Sequence, residues 1–102
     1  MIFVIATIEV AEGKRDDFLA AFRELVPKVR QEEGCVEYGP TIDVETNIPA
    51  QGPARENVVT VVEKWESIEA LESHLIAPHM LDYRKATTDL VVGTTIQILE
   101  PA

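Results

Sequence analysis

The stretch Val58-Val59-Thr60-Val61-Val62-Glu63-Lys64-Trp65-Glu66-Ser67-Ile68-Glu69-Ala70-Leu71-Glu72-Ser73-His74-Leu75-Ile76-Ala77-Pro78-His79-Met80 decides how this chain folds. Val58–Trp65 is the most apolar run, and its β-branched residues at this density suit a central, doubly covered strand. Ser67 is a natural N-cap, and Glu69 in the first turn suits the helix dipole. Ala70, Leu71, His74 and Leu75 then share one helical face. Pro78 breaks that helix and opens another, running to about Thr88 with Met80, Tyr83 and Leu90 apolar. The stretch holds the only Trp and both histidines of the chain, so aromatic surface and imidazole chemistry meet in one strand–helix unit.

The flanking segments read in the same way. Residues 2–10 form a strand in which Ile2, Val4, Ala6, Ile8 and Val10 alternate with Phe3, Ile5, Thr7 and Glu9. The second set is also apolar at its start, so this strand is covered on both sides there. Ala11-Glu12-Gly13 is a turn. A helix follows from about Lys14 to Glu33, with Phe18, Phe22, Leu25, Val26 and Val29 on one face. Pro27 lies inside it and predicts a kink or a break into two, because it removes a backbone donor and crowds the preceding turn. Gly34 is the expected C-cap. Cys35–Val44 reads as a second strand, interrupted by Pro40, which predicts an edge position or a bulge. Residues 45–57 form a long turn-rich loop, either a lid or partner contact or a plain hairpin connection. Val91–Leu99 is the last strand.

The order is β-α-β followed by β-α-β, the split arrangement of a ferredoxin-like α+β fold: a four-stranded antiparallel sheet with helices on one face. The 102 residues make one domain, 1–102, with no internal linker. One sheet face is left bare, yet strands 1 and 3 are apolar on both parities. A second copy of the chain would cover that face, so a homodimer through the sheet is expected.

Composition narrows the partners. Eighteen acidic against nine basic residues give a net charge of −9, which argues against nucleic acid and against anionic membrane surfaces. No apolar run approaches the roughly 20 residues of a membrane span. The single Cys35 rules out an internal disulfide and a multi-cysteine metal site, and it fits a reducing compartment. The start Met1-Ile2-Phe3-Val4-Ile5 has no basic region or cleavage pattern, so no signal peptide is read and a cytoplasmic location is expected.

The candidate site residues lie around Trp65. There is no glycine-rich phosphate loop, no Cys-x-x-Cys and no His-Glu-x-x-His. His74 and His79 are spaced to lie on different helical faces, so no metal site is predicted. His74 is either a core histidine bonded to backbone or a base in a cleft between helix and sheet. His79 is a capping histidine at a helix start or a site residue. Trp65 ends the apolar parity of its strand, as core or as a flat wall for an aromatic ligand. Glu63 points where valines point, so it needs a partner or a raised pKa. Arg84, Lys85 or a histidine is the expected partner. Tyr83 and Tyr38 are core, interface or site residues. Cys35 has no basic neighbour and is not read as a nucleophile.

These residues carry a resemblance. The chain resembles the antibiotic biosynthesis monooxygenase family, and within it the small bacterial quinol monooxygenases. The resemblance runs through Val4-Ile5-Ala6 with Glu12-Gly13, Val26-Pro27, Glu32-Glu33-Gly34-Cys35 with Tyr38, Glu63-Lys64-Trp65-Glu66-Ser67, Leu71-Glu72-Ser73-His74-Leu75, Pro78-His79-Met80 and Ile98-Leu99-Glu100-Pro101. It implies a dimeric α/β barrel of ferredoxin-like protomers. It also implies oxidation of a quinol or polycyclic phenol by O₂ with no cofactor. On that reading His74 is the catalytic residue, as base or hydrogen-bond partner, Trp65 is a ring-stacking wall, and Tyr83, His79 and Glu63 are supporting polar groups that bind substrate. Haem-degrading members of the family use an Asn from the first strand, and here that strand reads Ile5-Ala6-Thr7-Ile8-Glu9, which argues against haem. A non-catalytic dimer that binds small aromatic molecules is the competing expectation.

Overall fold

A computed structural model describes residues 1–102. Seven elements follow in order: β1 (Ile2–Val10), α1 (Arg15–Arg30), β2 (Cys35–Thr41), β3 (Val58–Trp65), α2 (Ile68–Leu75), α3 (Pro78–Ala86) and β4 (Val91–Leu99). The strands form one antiparallel sheet in the order β2-β3-β1-β4. This is the ferredoxin-like arrangement expected from the element order. No helix is long and apolar enough to cross a membrane.

The sheet register explains which apolar residues are buried. Val4, Ala6 and Ile8 of β1 lie opposite Glu63, Val61 and Val59 of β3. This parity faces the helices, and its five apolar members are buried. From the other side α1 contributes Phe18, Phe22, Leu25, Val26 and Val29, the face read from its period, with Leu19 beside them. The opposite parity of the sheet has no helix over it. There Phe3, Ile5 and Thr7 are half-buried, and Val62 is exposed. Across the middle of this open face, Thr41, Thr60, Thr7 and Thr95 fall in one register row. The Thr60 Oγ1 is buried and has no hydrogen-bond partner.

Three boundaries differ from the sequence reading. α1 is one unbroken helix through Pro27. Pro27 sits on its exposed side, where the carbonyl left without a partner can face water. The helix also ends at Arg30, not Glu33, leaving residues 31–34 as a turn. Gly34 adopts φ +85°, and a Cβ there would stand 2.5 Å from the Ala70 Cβ. Only glycine both takes this backbone conformation freely and lets the turn lie against α2. β2 stops at Thr41, earlier than Val44, and Pro40 occupies it as an edge strand. Its register irregularity falls at Cys35/Glu37, away from the proline.

The segment from 42 to 57 has neither helix nor strand. It is held by Arg55, which donates to Asp43 through Nε at 2.8 Å and Nη2 at 3.0 Å. Those bonds hold the Asp43 carboxyl down at about 2. Gln51 also bonds the Val44 carbonyl at 2.8 Å and pairs with Thr46. Val44 and Ile48 on this arm are exposed.

Candidate active site

A cavity of about 370 Å³ opens between the helix-facing side of the sheet and the α2–α3 pair. Its size falls in the range of small-molecule sites, and ten of its sixteen lining residues are hydrophobic, which suits an apolar ligand. The floor comes from Ala6, Ile8 and Val61, and one wall from Phe22 and Tyr83. Into this apolar space project His74, Glu63 and Tyr38. No residue of the 45–57 loop lines it.

His74 arrives from α2, which starts where Ser67 Oγ accepts a hydrogen bond from the Ala70 N–H at 3.1 Å. The cap fixes the helix phase, and the apolar stripe then turns Leu71 and His74 inward. The imidazole packs on Trp65 at 4.7 Å between centroids and meets Tyr38 edge-on at 5.3 Å. Burial pushes the His74 pKa below its ordinary value, against the pull of the neighbouring Glu32 carboxylate. Burial thus favours the neutral imidazole, the form that can accept a proton.

Glu63 is buried at the β3 end, on the valine parity, as the alternation requires. Its partner is neither Arg84, Lys85 nor a histidine. The Trp65 indole Nε1–H donates to Glu63 Oε1 at 3.0 Å. Arg84 instead donates to the Leu75 carbonyl at 2.8 Å. Burial raises the Glu63 carboxyl to about 7, with the Trp65 N–H opposing the shift and the Glu32 charge adding to it. Burial and the Glu63 charge also raise the Tyr38 phenol, so it stays a hydrogen-bond donor. Burial lifts Tyr83 to about 12.

Three of the five residues singled out from the sequence, His74, Glu63 and Tyr83, meet at the cavity. Trp65 does not line it. The indole is fully buried behind His74 and Glu63, stacking on one and bonding the other. His79 also stands outside, on a separate cleft beside α1 and α3. The two histidines are nonetheless joined, contrary to their assignment to different helical faces. α2 ends at Leu75 and α3 begins at Pro78, so no single helix sets their relative phase. Both rings reach Glu32 Oε2, His74 Nδ1 at 2.9 Å and His79 Nε2 at 2.7 Å. No group of three or more His, Cys, Asp or Glu side chains is arranged to hold a metal ion.

Glu32 is the residue that sequence reasoning missed as a site member. Its sequence signals were its place two residues before Gly34 and in one stretch of the resemblance, and neither points to a histidine 42 residues away. Tyr38, read as core, interface or site, both belongs to the core and lines the cavity.

The sequence profile described as antibiotic biosynthesis monooxygenase matches residues 1–86. The chain is 40% identical to the probable quinol monooxygenase YgiN of Escherichia coli K12, over 99% of this chain and 98% of that protein. Among solved structures, PA3566 of Pseudomonas aeruginosa superposes with a TM-score of 0.82 at 26% identity, over 99% of this chain and 93% of the other. A conserved protein of Methanosarcina mazei Go1 superposes with a TM-score of 0.83 at 22% identity, over 99% and 92%, a likeness of fold alone.

Proposed function

The chain belongs to the antibiotic biosynthesis monooxygenase family, and on that premise we propose that it oxidises a quinol or polycyclic phenol with O₂, without a cofactor. The observation that carries this reading is His74, an imidazole held by Glu32, Tyr38 and Trp65 on the wall of an apolar cavity. The likeness to a protein named as a quinol monooxygenase supports the substrate class.

The chemistry asks little of the protein. A quinol loses its O–H proton to His74, and the electron pair stays on the ring oxygen. The electron-rich quinolate then reduces O₂ itself. One oxygen atom enters the ring product, the other leaves as water, and the substrate supplies all four electrons. The cavity holds the ring, positions it against the base and limits water. Tyr38 and Tyr83 offer phenol donors to the substrate oxygens, and Glu63 a further polar contact. Trp65 and His79 act behind this first layer, one on Glu63 and the ring of His74, the other on Glu32.

A homodimer formed through the open sheet face completes this reading, since that face carries Phe3, Ile5 and Val62 without a covering helix. The free Cys35 suits a cytoplasmic setting. The test is anaerobic incubation with reduced menadione, followed by ¹⁸O₂. Turnover above the uncatalysed rate, one labelled oxygen in the product, and a loss of about 10²–10⁴-fold in His74→Ala are the expected results. His74→Asn, closer in size, guards against a folding defect. A rate equal to background in the wild type rejects the enzyme and leaves a dimeric binder of aromatic molecules.

A further inference from the structure

The contact of two histidines with one oxygen atom has a chemical consequence. Glu32 Oε2 lies 2.9 Å from His74 Nδ1 and 2.7 Å from His79 Nε2. An ionised carboxylate only accepts, so both ring nitrogens must supply the hydrogens. A neutral His74 is then the Nδ1–H tautomer, with its lone pair on Nε2. That Nε2 makes no hydrogen bond within the chain. His74 itself is among the residues that line the cavity. With Nδ1 taken by Glu32, Nε2 is the ring nitrogen left free to meet a ligand in that cavity.

Local structure holds Glu32 in this place. The turn after α1 lies against α2 because Gly34 has no Cβ to meet Ala70. The Glu66 N–H donates to the Gly34 carbonyl at 2.8 Å and ties the same turn to the β3–α2 junction. His79, the second residue of α3, grips the carboxylate from the other side and is itself partly exposed.

We infer that Glu32 is a positioning residue of the proposed oxidation: it selects the His74 tautomer that can accept the substrate proton and balances the imidazolium that results, while His79 holds Glu32 in register. In the step, the quinol O–H bond breaks, an N–H bond forms at Nε2, and the electron pair remains on the quinolate oxygen. The Nδ1–H stays donated to Glu32, whose negative charge faces the new positive one. His74 is faced by Glu32 from the α1–β2 turn, Tyr38 from β2, Glu63 from β3, and His79 and Arg84 from α3. Among these, Glu32 is the group whose carboxylate bonds the ring.

The catalytic half of this inference rests on the proposed function; the tautomer half does not, and it can be read from the full chain without substrate. Long-range ¹H–¹⁵N spectra of the ¹⁵N-histidine-labelled protein at pH 8 are expected to show His74 protonated at Nδ1. Glu32→Ala should return it to the Nε2–H form common in water. Glu32→Gln, whose amide oxygen still accepts, should keep the Nδ1–H form. With reduced menadione, Glu32→Ala should lower kcat by about 10–100-fold with little change in KM. Glu32→Gln should lose less, and its acid limb should move to lower pH because the charge that raises the His74 pKa is gone. A wild-type His74 protonated at Nε2 at pH 8 overturns the inference whatever the activity. If His74→Ala abolishes turnover while both Glu32 variants keep the wild-type rate and pH profile, the positioning role is overturned and the proposed function survives. If the wild type shows no turnover, the proposed function and the catalytic half fall together, and the tautomer spectra still decide the Glu32–His74 pairing.

Discussion

The two faces of the sheet are built from similar residues and meet opposite fates. On the helix side, Val4, Ala6, Ile8, Val59 and Val61 are all at most 6% exposed. On the open side, Phe3, Ile5 and Thr7 remain half-buried and Val62 is 39% exposed, although it directly follows Val61 in sequence. Side-chain chemistry does not separate the two sets. What separates them is that α1, α2 and α3 all pack on one side. Apolar character on a strand thus states a demand for cover; it does not say which layer supplies the cover. The covered side also carries the polar groups of the cavity. Glu63 and His74 are tolerable there because Trp65 and Glu32 answer them with hydrogen bonds.

Paired substitutions probe that contrast. Val61→Asp places an unpaired carboxylate in the core and should cost about 4 kcal/mol or more, enough to abolish the cooperative thermal transition followed by circular dichroism. A normal melt would mean that the helix-side layer is far looser than its burial indicates. Gly34→Ala combines a left-handed φ with a clash against Ala70 and should cost about 2–4 kcal/mol in urea unfolding. Adding Ala70→Gly should restore the part due to the clash and leave the part due to the backbone.

The buried carboxyl on the covered face gives a pH-dependent prediction. The folded pKa of Glu63 is raised from 4.5 to about 7, so the fold favours its protonated form. That stability is present below about 4.5 and is lost as pH rises through 7. Glu63→Gln removes the penalty, and its oxygen can still accept from the Trp65 N–H. Its melting temperature should therefore gain on the wild type between pH 5 and pH 8, by the equivalent of about 1–3 kcal/mol. A constant gap across that range would contradict the raised pKa. His74 acts in the opposite sense. Its folded pKa is lowered, so its contribution is present above the ordinary value of 6.5 and is lost as pH falls.

The smallest effect on the chain's own stability is expected from Val62→Asp, under about 1 kcal/mol, because that side chain already meets solvent. Its readout is assembly. In sedimentation the wild type should run as a dimer and the variant as an 11.3 kDa particle. A variant that keeps the dimer mass would show that the open face is not the interface.

Much of this architecture was legible in the residues. Alternation in β1 and β4 and the dense β-branched run of β3 set their bounds, and the observed strands run over the same residues. Ser67 read as a cap and accepts the cap hydrogen bond. The apolar face of α1 was read from its period and is buried. Pro27 misled because a proline penalty depends on where the freed carbonyl points, and here it lies on the exposed side of α1. Glu63 is rightly legible as a carboxylate on an apolar parity, but its partner is not, since Trp65 on the same strand face reads as core or as a ligand wall and not as a hydrogen-bond donor.

Periodicity, caps and turn residues are local properties, written within a few residues of where they act, so the order of elements and the inward face of each one were settled along the chain. The meeting of His74, His79 and Glu32 is of another kind. It needs α1 to end at Arg30, Gly34 to admit α2 without a Cβ, and the chain to turn between Leu75 and Pro78. Each of these is a small geometric event, and none carries a residue pattern that names the distant partner. A carboxylate finds its hydrogen-bond donors only when packing has brought separate segments within 3 Å, and that was decided in three dimensions.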